Sequence, residues 1–288
     1  EPVPTGLEPR IAPDPSIRAF IFDIYGTLLI SASGDIDETE MSEGAVRTAL
    51  EAAGILIDRP VSAHPAILRA LVDAFRKAVK TFHANEKTPE LPYPEIDILA
   101  LWDQILQERR AKGDLVYGDP LCIKCFTFVF ETLSNRISPM PGMHHVLNTL
   151  HQAGHPLGII SNAQFYTPLI MNYFLHQSLS ESETVSPFDA DLTLFSYLHR
   201  RSKPDPALFS SLTEHGLRKY GIHPHEMVYI GNDMYRDVWP AHRAGMKTAL
   251  FAGDRKSLRL RNDRPELSGL QPDFVITDLV QLLTIVKR

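Results

Sequence analysis

An apolar run over residues 17–22 stops at Asp23, and a glycine-containing turn follows at once in Asp23-Ile24-Tyr25-Gly26-Thr27-Leu28-Leu29. The run reads as a mostly buried strand interrupted only by Arg18. The Asp23 carboxylate therefore lies at the carboxyl end of that strand, which is where open α/β sheets bind their ligands. Gly26 lets the chain fold back tightly, and Thr27 offers a hydroxyl at the same rim. An Asp in such a place either caps the turn or acts as a nucleophile that is transiently phosphorylated or esterified.

Three later strings repeat the arrangement, each following an apolar run or lying close after one. They are Ile159-Ile160-Ser161-Asn162, Arg201-Ser202-Lys203-Pro204-Asp205-Pro206 and Tyr229-Ile230-Gly231-Asn232-Asp233-Met234-Tyr235-Arg236-Asp237. Strand patterns at about 156–160, 192–196, 227–231, 247–251 and 274–276 alternate with helical ones. That alternation predicts an α/β fold with a doubly wound, Rossmann-like parallel sheet. Asp205 before Pro206 reads as an N-cap followed by proline at the first helical position. Gly245 reads as a helix stop. A helix after residue 164 gives way to a polar stretch over 177–187, read as a loop.

Asp23 and Ser161 are 138 positions apart, far more than a plain βαβ crossover needs. The intervening residues show helical spacing: Ala45, Val46, Ala49, Leu50 and Ala53 up to Gly54, then Ile67 to Val79, Ile98 to Leu106, and Phe126 to Leu133. Four or five helices with no strand among them are expected. The reading divides the chain into an extended, proline-rich lead-in (1–16), an α/β core (17–35 and 138–288) and an inserted helical domain (36–137). The polar string Ser31-Ala32-Ser33-Gly34-Asp35 serves as the linker into the insertion, and the breakers Pro139-Met140-Pro141-Gly142 mark the return.

A net charge of −6, without a basic block, argues against a nucleic-acid partner. No run of about 18 apolar residues exists, so no membrane partner is expected. Cys122 and Cys125 have the two-residue gap of metal and redox motifs, but no second pair completes a zinc site. They read as packed free cysteines inside a helix, and so few cysteines fit a reducing, cytoplasmic setting. Of the 12 histidines, His144, His145, His151 and His155 cluster in sequence as a solvated or partly packed face. Phe75 and Trp102 read as core.

Taken in order, the Asp23, Ser161, Lys203 and Asp233/Asp237 strings resemble the haloacid dehalogenase superfamily of hydrolases. The resemblance spans most of the chain and implies that the insertion is a mobile cap. A small-molecule anionic substrate is expected, with Mg²⁺ as the hard cation that offsets repulsion between Asp23 and a phosphate; monomer and homodimer both stay open. Asp23 would be the nucleophile, with Thr27, Ser161 and Lys203 completing the catalytic set. Gly26, Tyr25 and Asn162 would contact substrate. Asp23, the Tyr25 carbonyl, Asp233 and Asp237 would hold the metal, Asp233 as first choice, with Asn232 a weak further donor. One position departs from the pattern of the family's phosphatases. They carry a second Asp two residues after the nucleophile, where this chain has Tyr25, and a phenol with an ordinary pKa of about 10 is a poor general base near neutrality. Asp-x-Tyr-Gly-Thr resembles the 2-haloacid dehalogenases instead, which need neither metal nor proton for halide departure. Their arginine has no counterpart beyond Arg47, and they lack the acidic pair. Three readings stay open: a Mg²⁺-dependent phosphatase, a 2-haloacid dehalogenase-like hydrolase, and a slow protein that binds a phosphorylated ligand or partner.

Overall fold

The computed structural model describes residues 1–31, 42–179, 182 and 184–286. The chain forms two compact units, Glu1–Gly34 with Ser138–Arg288 and, inserted between them, Asp35–Ile137.

In the first unit the proline-rich lead-in is pinned to the core. Arg10 and Val275 exchange backbone hydrogen bonds of 2.8 and 2.9 Å, and Thr5 donates to the Ala252 carbonyl at 2.7 Å. Strand β1 (Ala19–Phe22) follows, buried along its whole length, and then β2 (Leu29–Ser31). Ser31 thus ends a strand instead of opening a polar linker. The rest of that expected linker, residues 32–35, lies outside the described residues.

The second unit carries α1 (Glu43–Ala52), β3 (Leu56–Ile57), α2 (His64–Asn85), α3 (Ile98–Ala111), β4 (Leu115–Val116) and α4 (Ile123–Ser134). The first three helices bury the stripes their spacing predicts, with Ala53 and Leu99 half-buried at the margins. Helix α4 buries Phe126 and Phe130, but Val129 is half-buried and Leu133 is 47% exposed, and Thr127 and Glu131 are buried in their place. Phe75 and Trp102 are fully buried and stacked with ring centroids 4.6 Å apart, and Phe126 and Phe130 meet the indole edge-on. Two expectations are corrected here. The unit is not purely helical, because β3 and β4 pair antiparallel; two-residue strands are too short to show a period of two. Nor do Cys122 and Cys125 pack as free thiols within a helix. Cys122 caps α4, both residues are exposed, and they form a disulfide.

The chain re-enters the first unit through β5 (Ile137–Pro139), which pairs with β2. Next come α5 (Met143–Gln152), β6 (Leu157–Ser161), α6 (Thr167–His176), β7 (Thr193–Phe195) and α7 (Ser196–His199). The unit closes with α8 (Pro206–Tyr220), β8 (Met227–Gly231), α9 (Trp239–Arg243), β9 (Lys247–Phe251), β10 (Phe274–Ile276) and α10 (Leu282–Ile285). Local signals act where the sequence places them. Asp205 accepts from the Ala207 N–H ahead of α8, and Gly245, at φ +80°, closes the turn after α9.

Six strands form one sheet in the order β10-β9-β8-β1-β6-β7, each adjacent pair parallel. The first strand lies in the middle, and successive strands are laid to either side of it. This is the doubly wound α/β architecture. Phe22 registers with Ile159 of β6 and Ile230 of β8. The central strands therefore end together, and Asp23, Ser161 and Asn232 emerge at one edge. Phe20, Ile21, Phe22, Ile159, Ile160, Val228 and Ile230 are completely buried, each contributing about 1.5–3 kcal/mol of apolar burial. No described helix is long and apolar enough to cross a membrane.

Candidate active site

Asp23 is buried at the end of β1, only 5% exposed. Its two oxygens have different surroundings. Oδ1 accepts from the Lys203 ammonium at 2.7 Å and from the Ser161 hydroxyl at 2.9 Å. Among the described residues, Oδ2 accepts only from the Thr27 hydroxyl, at 3.5 Å. One oxygen is fixed by two donors, and the other is held far more loosely.

Lys203 links two acids. Its Nζ lies 2.6 Å from Asp237 Oδ1 as well as 2.7 Å from Asp23 Oδ1. Burial opposes its charge, but Asp23 and Asp237 outweigh burial and hold its pKa above the ordinary lysine value. Asp237, 1% exposed, is pushed up to about 6 by burial, aided by Asp23 and Asp233 and opposed by Lys203. Its Oδ2 accepts from the Asp233 N–H at 2.9 Å. Tyr229 completes this knot. Its hydroxyl donates to the Ile160 carbonyl at 2.7 Å and sits 3.2 Å from Asp237 Oδ1. Burial and then the neighbouring carboxylates raise the phenol well above its usual pKa.

The remaining expected residues divide. Asn162 accepts from the Lys203 N–H at 2.6 Å through Oδ1, so its amide fixes the loop that carries Lys203. Asn232 Oδ1 accepts from Thr27 at 3.2 Å and joins the Asp23 cluster through that hydroxyl. Asp233 is placed differently. Its Oδ1 accepts from the Tyr235 and Arg236 N–H groups, and its Oδ2 takes a two-pronged contact from Arg261 at 2.8 and 3.0 Å. The Tyr25 hydroxyl shares a 2.9 Å hydrogen bond with Thr167, the first residue of α6.

The sequence alone assigns no site role to Tyr229 or Arg261. Tyr229 is one apolar position among five buried ones in β8, and Arg261 sits in a loop 28 residues beyond its partner. Neither leaves a local signal. Of the other late basic residues, Arg255 and Lys256 are exposed.

Gly26 is required by two independent features. Its φ is +86°, and a Cβ there would come within 2.6 Å of Asn232 Nδ2 and 2.7 Å of Ser257 Cβ. Gly26→Ala should cost about 1–3 kcal/mol and displace Asn232 from Thr27. A chemical denaturation midpoint unchanged from the parent chain would contradict this packing.

The donor set suits a hard cation. Asp23, Asp233 and Asp237 are buried carboxylates, and Lys203 and Arg261 are the cations paired with them, which leaves one negative charge in excess. Among the described residues no three His, Cys, Asp or Glu side chains cluster closely enough to ligate a metal alone. A site with carboxylate, carbonyl and amide oxygens matches Mg²⁺, which prefers oxygen ligands.

Comparison with known proteins identifies the family. A sequence model of the haloacid dehalogenase-like hydrolase family matches residues 17–245. A glyceraldehyde 3-phosphate phosphatase of Pyrococcus furiosus is 28% identical over 279 residues, covering 94% of both chains. A pyrophosphatase of Oceanobacillus iheyensis, PpaX, is 25% identical over 152 residues. That match covers 53% of this chain and spans 62% of the pyrophosphatase's own length. Among solved structures, a 2-haloacid dehalogenase from Pseudomonas syringae superposes with a TM-score of 0.54 at 18% identity. It covers 94% of this chain and 98% of that one, a likeness of fold.

Proposed function

The chain belongs to the haloacid dehalogenase-like hydrolases, and on that premise we propose that it is a Mg²⁺-dependent phosphatase of a small phosphorylated metabolite, acting through an aspartyl-phosphate on Asp23. The observation that carries this reading is the asymmetry of Asp23. Lys203 and Ser161 fix Oδ1, which leaves Oδ2 as the attacking oxygen. Thr27 would offer its hydroxyl to the oxygens of the transferred group, and Lys203 would offset its charge. Asn162 and Tyr229 hold Lys203 in place.

Asp23, the Tyr25 carbonyl and Asp237 would hold Mg²⁺, with Asn232 as a further oxygen donor. Bound there, the ion would relieve repulsion between the carboxylate and a dianionic phosphate. Asp233 remains a candidate ligand beside Asp237, each carboxylate being paired with one cation, Arg261 and Lys203 respectively. The inserted unit, residues 36–137, is proposed as the cap that selects substrate.

The test is p-nitrophenyl phosphate hydrolysis with Mg²⁺ and with excess EDTA, Asp23→Asn serving as control. Turnover should need the metal, and the variant should lose at least about a thousandfold in kcat, as expected for a missing nucleophile. Tyr25 is the one observation that favours dehalogenation. Chloride release from 2-chloropropionate in the presence of EDTA, without phosphatase activity, would replace the proposal with that reading.

A further inference from the structure

The exposed Cys122–Cys125 pair in the second unit takes no part in the chemistry at Asp23. These are the chain's only cysteines, joined to each other with Cα atoms 5.3 Å apart. The loop they close has a sequence separation of only three. Constraining so short a loop removes little entropy from the unfolded chain, so the bond adds little to stability. A bond with a purely structural task is better placed across a long loop and out of solvent. Both cysteines here are exposed, and so is Lys124 between them.

Their position in α4 adds a second argument. Cys122 is the N-cap of this twelve-residue helix, and in the disulfide its side chain makes no capping hydrogen bond. The first-turn N–H groups of Lys124 and Cys125 are those a capping atom would satisfy. A thiolate at Cys122 would accept from them and gain from the positive end of the helix. Reduction therefore supplies a cap that the disulfide withholds.

We propose that Cys122 and Cys125 form a reversible thiol–disulfide exchange site for low-molecular-weight thiols, with Cys122 as the stabilised thiolate. In the reducing direction a thiolate of the small thiol attacks Cys125 Sγ. The Cys122–Cys125 bond breaks, and Cys122 leaves with the electron pair as the capping thiolate. A second small thiol, as its thiolate, attacks the small-molecule sulfur of the mixed disulfide. Cys125 is released and takes up a proton, and the two small thiols depart as their disulfide. Two electrons pass to the protein, both supplied by the small thiols.

The experiment equilibrates the purified full chain, without oxygen, in mixtures of glutathione and glutathione disulfide. Acid quenching, alkylation and intact mass then count free thiols. The native chain should pass completely from no added alkyl groups to two as the mixture becomes reducing, and back again. Failure to reduce without denaturant would make the bond structural and overturn the proposal. So would a dithiol that glutathione disulfide never oxidises. Single variants test the assignment. Below neutral pH, Cys122 in Cys125→Ser should alkylate faster than Cys125 in Cys122→Ser, by about threefold for each unit its pKa is lowered, the gain in thiolate fraction being partly offset by weaker nucleophilicity. Equal rates would remove Cys122 from its role.

Discussion

Lys203→Met should destabilise the first unit by about 3–5 kcal/mol, the usual cost of removing one partner from a buried ionic network. The ammonium is 4% exposed and lies between Asp23 and Asp237, 2.7 and 2.6 Å away. Removing it leaves two buried carboxylates close together with no cation between them. Methionine fills much of the volume, so the loss is electrostatic more than steric. Urea denaturation reads the effect directly, and turnover should vanish with it. A double-mutant cycle separates the charge argument from general damage. Asp237→Asn removes one of the stranded charges, so Lys203→Met combined with Asp237→Asn should be more stable than Lys203→Met alone. If the two changes simply add, Lys203 and Asp237 do not form the pair described.

Lys203 also marks the boundary of what the sequence reveals. Its identity as a site residue rests on an ordered set of strings, each at a strand end, and the parallel sheet brings those ends together by its own geometry. The local signals were legible for the same reason. Asp205 caps α8, and Gly26 and Gly245 adopt positive φ, because these roles depend on residues one to four positions away. Partnerships that close over long separations were not legible. Arg261 reaches Asp233 from 28 residues on, and Tyr229 reaches Ile160 across 69. A tyrosine inside an apolar strand looks like core until its hydroxyl is seen against a lysine. The β3–β4 ladder was hidden by its length, and the disulfide by a local apolar pattern that held for Phe126 and Phe130 but not for Leu133 or for the exposure of the first turn of α4. The partners of the acidic pair were not legible either: the turn gives Asp233 to Arg261 and Asp237 to Lys203.

Tyr25→Asp should raise kcat/KM for alkyl phosphates such as glycerol 3-phosphate by about 10²–10⁴-fold, the usual contribution of a positioned general acid–base group, and change kcat/KM for p-nitrophenyl phosphate little. An alkoxide is a poor leaving group and needs a proton as the bond to phosphorus breaks; p-nitrophenolate departs without one. Tyr25, two residues after Asp23, shares its hydroxyl with Thr167 at 2.9 Å. Asp237 and Asp233 are bound to Lys203 and Arg261. None of these groups in the first unit is placed as an uncommitted acid. The same deficit affects the second half-reaction. Water attacking an aspartyl-phosphate needs a base, and a phenol with pKa about 10 is almost wholly protonated near neutrality. The parent chain should therefore release about one equivalent of p-nitrophenol in a burst and then turn over slowly, the sign of a covalent intermediate that accumulates. Tyr25→Asp should abolish the burst. The two substrates respond differently because kcat/KM reports the first chemical step, whereas the burst reports the second. An equal gain for both substrates, or steady turnover without a burst in the parent chain, would show that protons at this site come from a group other than the residue after Ile24.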